Sequence, residues 1–398
     1  MTGRLACEGG SPVRNTFLVF GNPSIEQPEI DEVVDSLRSG WVGTGPKVGQ
    51  FEGMFRDYIG SKHAVAVSSC TAALHLSMIV AGLGPGDEVI TTPMTFPATV
   101  NAIVHVGARP VFVDVDRHTM NIDPDAIPRA LTPRTKAVVP VHFAGRPCQM
   151  EQMMALAAEN GLLLIEDAAH CLEGAYRGRK IGTFGDATCF SFYVTKNITT
   201  IEGGMVTTDD EEWANLIKVF ALHGLSKDAW GRYSGAGFEH YQVVVPGFKY
   251  NMTDVEAAVG IHQLERIDSC LRRRERLWAY YDEAFLGLPA FLPVPPEPGT
   301  VHARHLYTLL VDLDNITATR DDVLNALHAE NIGCGVHYVG IHLHAYYRKT
   351  FNLSPEDFPN ATFISDRTIS IPLSPKLSEK DADDVVSGVH KVLTAYAR

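Results

Sequence analysis

Between residues 64 and 208, short runs of β-branched and apolar residues alternate with stretches of helical spacing. The runs lie at 64–68 (AVAVS), 88–91, 110–115, 136–142, 162–166, 188–193 and 204–208. Between two of them, Met150, Met153, Met154 and Ala157 recur at helical intervals, and Gly161 follows as a C-terminal stop. Apolar strands separated by helices predict an α/β fold with a mostly parallel, seven-stranded sheet covered on both faces.

The pattern changes after residue 208. Residues 209–220 and 253–285 read as helices, the second long and studded with charge. The Gly/Tyr-rich stretch 226–246 separates them, and a connection of that length is often functional. A proline-rich crossing, 288–300 (LPAFLPVPPEPGT), leads to a strand at 305–311, a helix at 320–331, a strand at 333–338 and a final helix from Ser378. This order predicts a flexible segment at 1–16, a large domain over 17–265 and a small C-terminal α/β domain over 266–398 that includes the connecting helix.

Composition narrows the class. Hydrophobic residues make up 45% and charged residues 20%, so the chain can build a core. With 34 basic against 47 acidic side chains, the net charge of −13 disfavours nucleic acid or an anionic membrane as partner. No apolar run reaches the ~18 residues of a membrane span, and the first 16 residues lack the apolar core of a signal peptide. Seven scattered cysteines without a CxxC pair fit reduced thiols. A cytoplasmic enzyme is expected.

Three segments carry candidate chemistry. Ser68-Ser69-Cys70-Thr71 follows an apolar strand and opens a helix, where free N–H groups suit a phosphate, although Ser69 as a plain N-cap needs no ligand. Glu166-Asp167-Ala168-Ala169-His170 follows the strand at 162–166. It places a carboxylate where open α/β sheets bind ligands, with His170 one helical turn on; an N-cap Asp beside a structural His is the plainer alternative. Lys196, after the hydrophobic run 190–194 and before Glu202-Gly203-Gly204, is placed as a desolvated amine able to form a Schiff base, whereas most lysines are solvated surface charges.

Other patterns fail on spacing. Residues 114–125 start like a calcium loop but lack Gly at the sixth position and Glu at the twelfth. The glycines of 43–49 follow no strand and miss the GxGxxG spacing. His337, His342 and His344 match no zinc motif, so no metal is expected. The run 272–276 (RRRER) reads as the solvated face of the connecting helix.

The segments 39–52 (SGWVGTGPKVGQFE), 68–76 (SSCTAALHL), 165–174 (IEDAAHCLEG), 190–197 (FSFYVTKN), 202–209 (EGGMVTTD) and 246–260 (PGFKYNMTDVEAAVG) closely resemble the DegT/DnrJ/EryC1/StrS family. These are sugar aminotransferases of fold type I that use pyridoxal 5′-phosphate (PLP). The resemblance runs from about Leu18 to the last helix.

Its implications fall on named residues. Lys196 would hold PLP covalently and later shuttle a proton, Asp167 would pair with the pyridinium nitrogen, and His170 would sit near the phenolic oxygen. Phe96 would stack on the ring. Cys70, Thr71 and Ser191 would hold the phosphate, with Asn251 reaching it from the neighbouring subunit of a homodimer. Cys70 stands where the family more often has Gly or Ala, a change that a backbone donor tolerates. Trp41, Thr44, His337 and Tyr338 would line the sugar-nucleotide pocket.

The segments 337–351 and 246–254 are similar to the branch acting on UDP-linked 4-keto sugars, including the 4-amino-4-deoxy-arabinose type. The implied reaction moves an amino group from L-glutamate, released as 2-oxoglutarate, to C4 of the keto sugar. Amination at C3, a dTDP- or GDP-sugar, or a PLP- or sugar-binding regulator with little turnover are the alternatives. Family members that act as dehydratases carry His in place of the lysine, which Lys196 argues against.

Overall fold

The computed structural model describes residues 4–226 and 242–398. Most of the loop singled out at 226–246 therefore lies outside the described residues. The strands are β1 (His63–Val67), β2 (Glu88–Thr91), β3 (Arg109–Phe112), β4 (Thr135–Val138), β5 (Leu163–Asp167), β6 (Ala175–Tyr176), β7 (Arg179–Lys180), β8 (Ala187–Ser191), β9 (Gly204–Thr208), β10 (Ala290–Phe291), β11 (Tyr307–Val311) and β12 (Thr368–Ile371). The α-helices are α1 (Gln27–Ser39), α2 (Pro46–Ile59), α3 (Cys70–Val80), α4 (Pro97–His105), α5 (Met150–Asn160), α6 (Glu211–Ala221), α7 (Asp254–Glu265), α8 (Ile267–Ala284), α9 (Arg320–Ala329), α10 (Ala345–Phe351), α11 (Pro359–Arg367) and α12 (Glu379–Tyr396).

Seven strands form one sheet in the order β1-β9-β8-β5-β4-β2-β3. Only β9 runs against the rest, pairing antiparallel with β1 and β8. The other strands share one direction, so their C-terminal ends meet along one edge, the place where such sheets bind ligands. Apolar side chains cover both faces. One core joins Phe51, Phe55, Phe190 and Phe192 edge to face, and the other packs α3 and α6 on Val65, Val67 and Val206. The seven runs read from the sequence all fall on these strands.

The small domain is a three-stranded antiparallel sheet, β10-β11-β12, backed by α8, α9 and α12 around Tyr281, Phe285, Tyr307 and Val389. Four expectations are corrected here. Residues 253–285 are two helices broken at Arg266, whose guanidinium is drawn out to Glu29, Glu26 and the Ser24 carbonyl. Residues 333–338 are not a strand. Only Gly335 bridges Ser370 of β12, after which the chain leaves the sheet and carries His337 and Tyr338 toward the large domain.

The remaining two corrections concern polar segments. Residues 4–16 are docked rather than flexible: Leu5 is buried in the small-domain core, Glu330 accepts from the Ala6 and Val13 N–H groups, and Arg14 pairs with Asp381 and Asp384. Within the run 272–276, Arg274 points inward and is buried, ion-paired to Glu173, while Arg272 and Arg276 are exposed. No helix among the described residues is long and apolar enough to cross a membrane.

Candidate active site

Beyond β1 the chain turns through Ser68, whose N–H donates to the Tyr250 carbonyl, and Ser69 caps α3 by accepting from the Ala72 N–H at 3.1 Å. The N–H groups of Cys70 and Thr71 keep no acceptor among the described residues. They are the free donors that a helix N-terminus offers an anion. The Cys70 side chain is not one of them: its Sγ lies buried against the Cys189 carbonyl, and burial pushes the thiol well above its ordinary pKa. Gly204 of β9 packs directly beneath this turn. A Cβ there would sit 2.5 Å from the Ser69 carbonyl carbon, so the position admits only glycine.

Asp167 ends β5 and is buried. Its Oδ2 accepts from the Thr99 hydroxyl at 2.7 Å and its Oδ1 from the Ala169 N–H at 3.1 Å. No helix follows, contrary to the expectation of one helical turn. Residues 168–174 form tight turns closed by Cys171 N–H to Ala168 and Gly174 N–H to Cys171, and these deliver His170 into the site. His170 is buried, and its Nδ1 accepts from the Ala144 N–H. The proton therefore lies on Nε2, which donates to the Tyr338 hydroxyl at 3.0 Å. Burial and the nearby Lys196 hold His170 well below the usual histidine range, so it is neutral.

Lys196 follows β8 in a turn closed by its own N–H to the Tyr193 carbonyl. Burial pushes its ammonium down to about 8, against the opposing pull of Cys70 and Asp167. Next to it, Asn197 donates to Glu173 and the Ala303 carbonyl and accepts from His305 Nδ1 at 2.8 Å. The His305 ring lies 4.4 Å from that of His170. The sequence reading missed His305, because its strand-like surroundings suggest only a core position.

These groups surround one cavity of about 450 Å³, in the size range of small-molecule sites. Cys70, Thr71, Asp167, His170, Ser191 and Lys196 line it. So do Phe96, which is exposed and has its ring 5.9 Å from that of Tyr338, and His337. Trp41, Thr44 and Asn251 do not. Asn251 donates to the Thr44 hydroxyl at 2.6 Å, Thr44 donates to the Met252 carbonyl, and Trp41 lies beside Gly45. The glycine-rich segment 43–49 is held by buried Asp254, whose carboxylate accepts from the N–H groups of Gly45, Lys47 and Val48 at the start of α2. The histidines of 337–344 are each engaged separately, His337 with Ser370, His342 with Thr362 and His344 with the Val339 carbonyl.

Residues 23–390 match the profile of the DegT/DnrJ/EryC1/StrS aminotransferase family. The chain belongs to this family. It is 51% identical over 382 residues to the spore coat polysaccharide biosynthesis protein SpsC of Bacillus subtilis, covering 96% of this chain and 98% of that one. Among solved structures, a Streptococcus pneumoniae protein described as a sugar aminotransferase, Spr1654, superposes in its PMP form with a TM-score of 0.90 at 34% identity over 95% of this chain and 99% of that one. Helicobacter pylori PseC, an aminotransferase involved in pseudoaminic acid biosynthesis, gives 0.88 at 29% identity, over 96% and 100%.

The cofactor of this family member is PLP, and the fold is type I. The cavity fits that group. Two unpaired N–H donors at a helix N-terminus suit a phosphate, a buried carboxylate suits a protonated ring nitrogen, and an amine with a lowered pKa suits an aldehyde. The chain is a PLP-dependent sugar aminotransferase.

Proposed function

We propose that the protein transfers an amino group from L-glutamate to the C4 keto group of a UDP-linked 4-keto sugar. The observation that carries the catalytic part is the meeting of Lys196, Asp167 and the free N–H groups of Cys70 and Thr71 around one cavity. The substrate part is supported by the wall that His337 and Tyr338 give this cavity, by the resemblance of 337–351 to the UDP-4-keto-sugar branch, and by the relation to SpsC.

When bound, PLP supplies an electron sink that stabilises negative charge on the carbon losing a proton. The chain's own residues do the rest. Cys70 and Thr71 N–H and the Ser191 hydroxyl would hold the phosphate. Asp167, fixed in place by the Thr99 and Ala169 donors, would pair with the ring nitrogen and keep a proton there. Phe96, on the cavity wall, would pack against the ring. Lys196 Nζ would hold the cofactor through its aldehyde. Once released, it is the base that takes the α-proton of glutamate and later returns a proton to the sugar carbon, a task suited to an amine pushed down to about 8. His170, with both ring nitrogens engaged by protein, acts by orienting Tyr338, whose own hydroxyl proton is left to point at substrate.

The active unit is a homodimer in which Asn251 reaches the neighbouring site. Exposed Trp41 and Val42, in the same segment as the Thr44 partner of Asn251, support an apolar contact there. All seven cysteines are free thiols, which supports a cytoplasmic location. Incubation with glutamate and a UDP-4-keto sugar, followed by NMR of the product, tests this reading. An amine at C4 is expected, and an amine at C3 or no amino sugar contradicts it.

A further inference from the structure

Lys196 and Thr195 line two cavities, the main one and a second of about 40 Å³. Buried Arg274 and His305 line the second, together with half-buried Cys270. Exposed Asn22 and half-buried Ser374 form its outer end. Its volume is room for a few waters, since one needs roughly 10–15 Å³ by this measure.

The wall is polar and incompletely paired. Arg274 is 2% exposed. Its Nη2 meets Glu173 and the Ala303 carbonyl, while Nε and Nη1 have no partner. Asn197 donates from Nδ2 to Glu173 and Ala303, so its Oδ1 is the acceptor and His305 Nδ1 carries the proton. His305 Nε2 is then a bare acceptor, with no partner among the described residues. Arg274 and His305 both line this void, and unmet donors of a buried guanidinium are costly, so water within reach of them is favoured.

We propose that this second cavity is a rear water passage, through which Lys196 exchanges protons with solvent while substrate fills the front cavity. The proposal rests on the reading of Lys196 as proton carrier. A proton taken from a substrate carbon passes from Nζ to the water chain, and a solvent proton returns to Nζ, so one leaves for each that enters and no other reactant is needed. Arg274 and His305 fix the chain as donor and acceptor, and they are positioning residues rather than catalytic ones.

A crystal structure of the PLP-loaded enzyme tests the passage directly. Ordered waters on Arg274 Nε or Nη1 and on His305 Nε2 are expected, and a dry cavity or an anion seated there overturns it. The functional test uses glutamate deuterated at Cα and measures deuterium lost to water against deuterium found in the pyridoxamine phosphate formed. Cys270→Phe, which plugs the passage, should lower the loss threefold or more, whereas Cys270→Ser should not change it. Equal loss in wild type and Cys270→Phe overturns the proposal. Failure of glutamate to convert the wild-type cofactor would instead strike the proposed donor, and the water structure still decides the passage.

Discussion

The Asp167 carboxylate accepts a 2.7 Å hydrogen bond from the Thr99 hydroxyl, which is itself 2.7 Å from the Thr95 hydroxyl. The single Thr99 hydroxyl proton goes to Asp167, so Thr95 must donate to Thr99 and the chain of donation runs from Thr95 through Thr99 to Asp167. Hydrogen bonds to charged groups contribute about 1.5–3 kcal/mol, which corresponds to roughly a 10- to 150-fold effect. Thr99→Val should therefore lower kcat at least about tenfold, and Thr99→Ser should restore most of it. Steady-state kinetics of the PLP-saturated variants check this, and unchanged kcat in Thr99→Val contradicts it.

Lys196 gives a pH prediction. Its ammonium is pushed down to about 8, so the neutral, reactive amine forms as pH rises through that value rather than near 10.5. In the cofactor-free protein, the rate of PLP attachment at Lys196 should rise to half its limit near pH 8. Rapid-mixing absorbance measurements across pH 6–11 check this, and a midpoint above 10 refutes the desolvated environment. Lys196→Ala should abolish multiple turnover while leaving the circular dichroism spectrum unchanged.

Tyr338 and His170 should behave as one unit, since His170 Nε2 donates to the Tyr338 hydroxyl. Tyr338→Phe should raise the sugar KM about tenfold, the scale of one lost hydrogen bond. His170→Leu should do much the same, and the double variant should be no worse than the poorer single one. Fully additive losses would separate the two roles.

Asn251 carries the prediction for the dimer. Mixed dimers of Asn251→Ala and Lys196→Ala subunits have one site with both residues intact if Asn251 serves the neighbour, and none if it serves its own chain. Co-expressed, differently tagged subunits should recover about half the wild-type activity per dimer. Recovery of none removes the cross-subunit assignment.

The large domain was legible because its strands are short, mostly apolar runs between helical stretches, and its site residues sit in short local motifs at strand ends. Lys196, Asp167, His170, Cys70, Thr71, Ser191 and Phe96 came together as the sequence implied. What escaped depends on contacts distant in sequence. The two-residue β10 offers no periodicity to read, and β12 follows α11 without a turn residue between them. Arg274 resembles its exposed neighbours until Glu173, 101 residues away, draws it inward. Glu330 similarly docks a polar N-terminal segment through backbone N–H groups that no pattern reveals. His305 gains meaning only beside Asn197, 108 residues earlier.

The central claim is amino transfer to a UDP-linked 4-keto sugar, and a single-turnover experiment tests it most directly. Enzyme converted by glutamate to its pyridoxamine phosphate form is separated from excess donor and mixed in turn with UDP-, dTDP- and GDP-linked 4-keto sugars, and the PLP absorbance is followed. The account predicts rapid return of that absorbance with a UDP-4-keto sugar and markedly slower return with the others. Return with only a dTDP- or GDP-sugar, or with none, would contradict it.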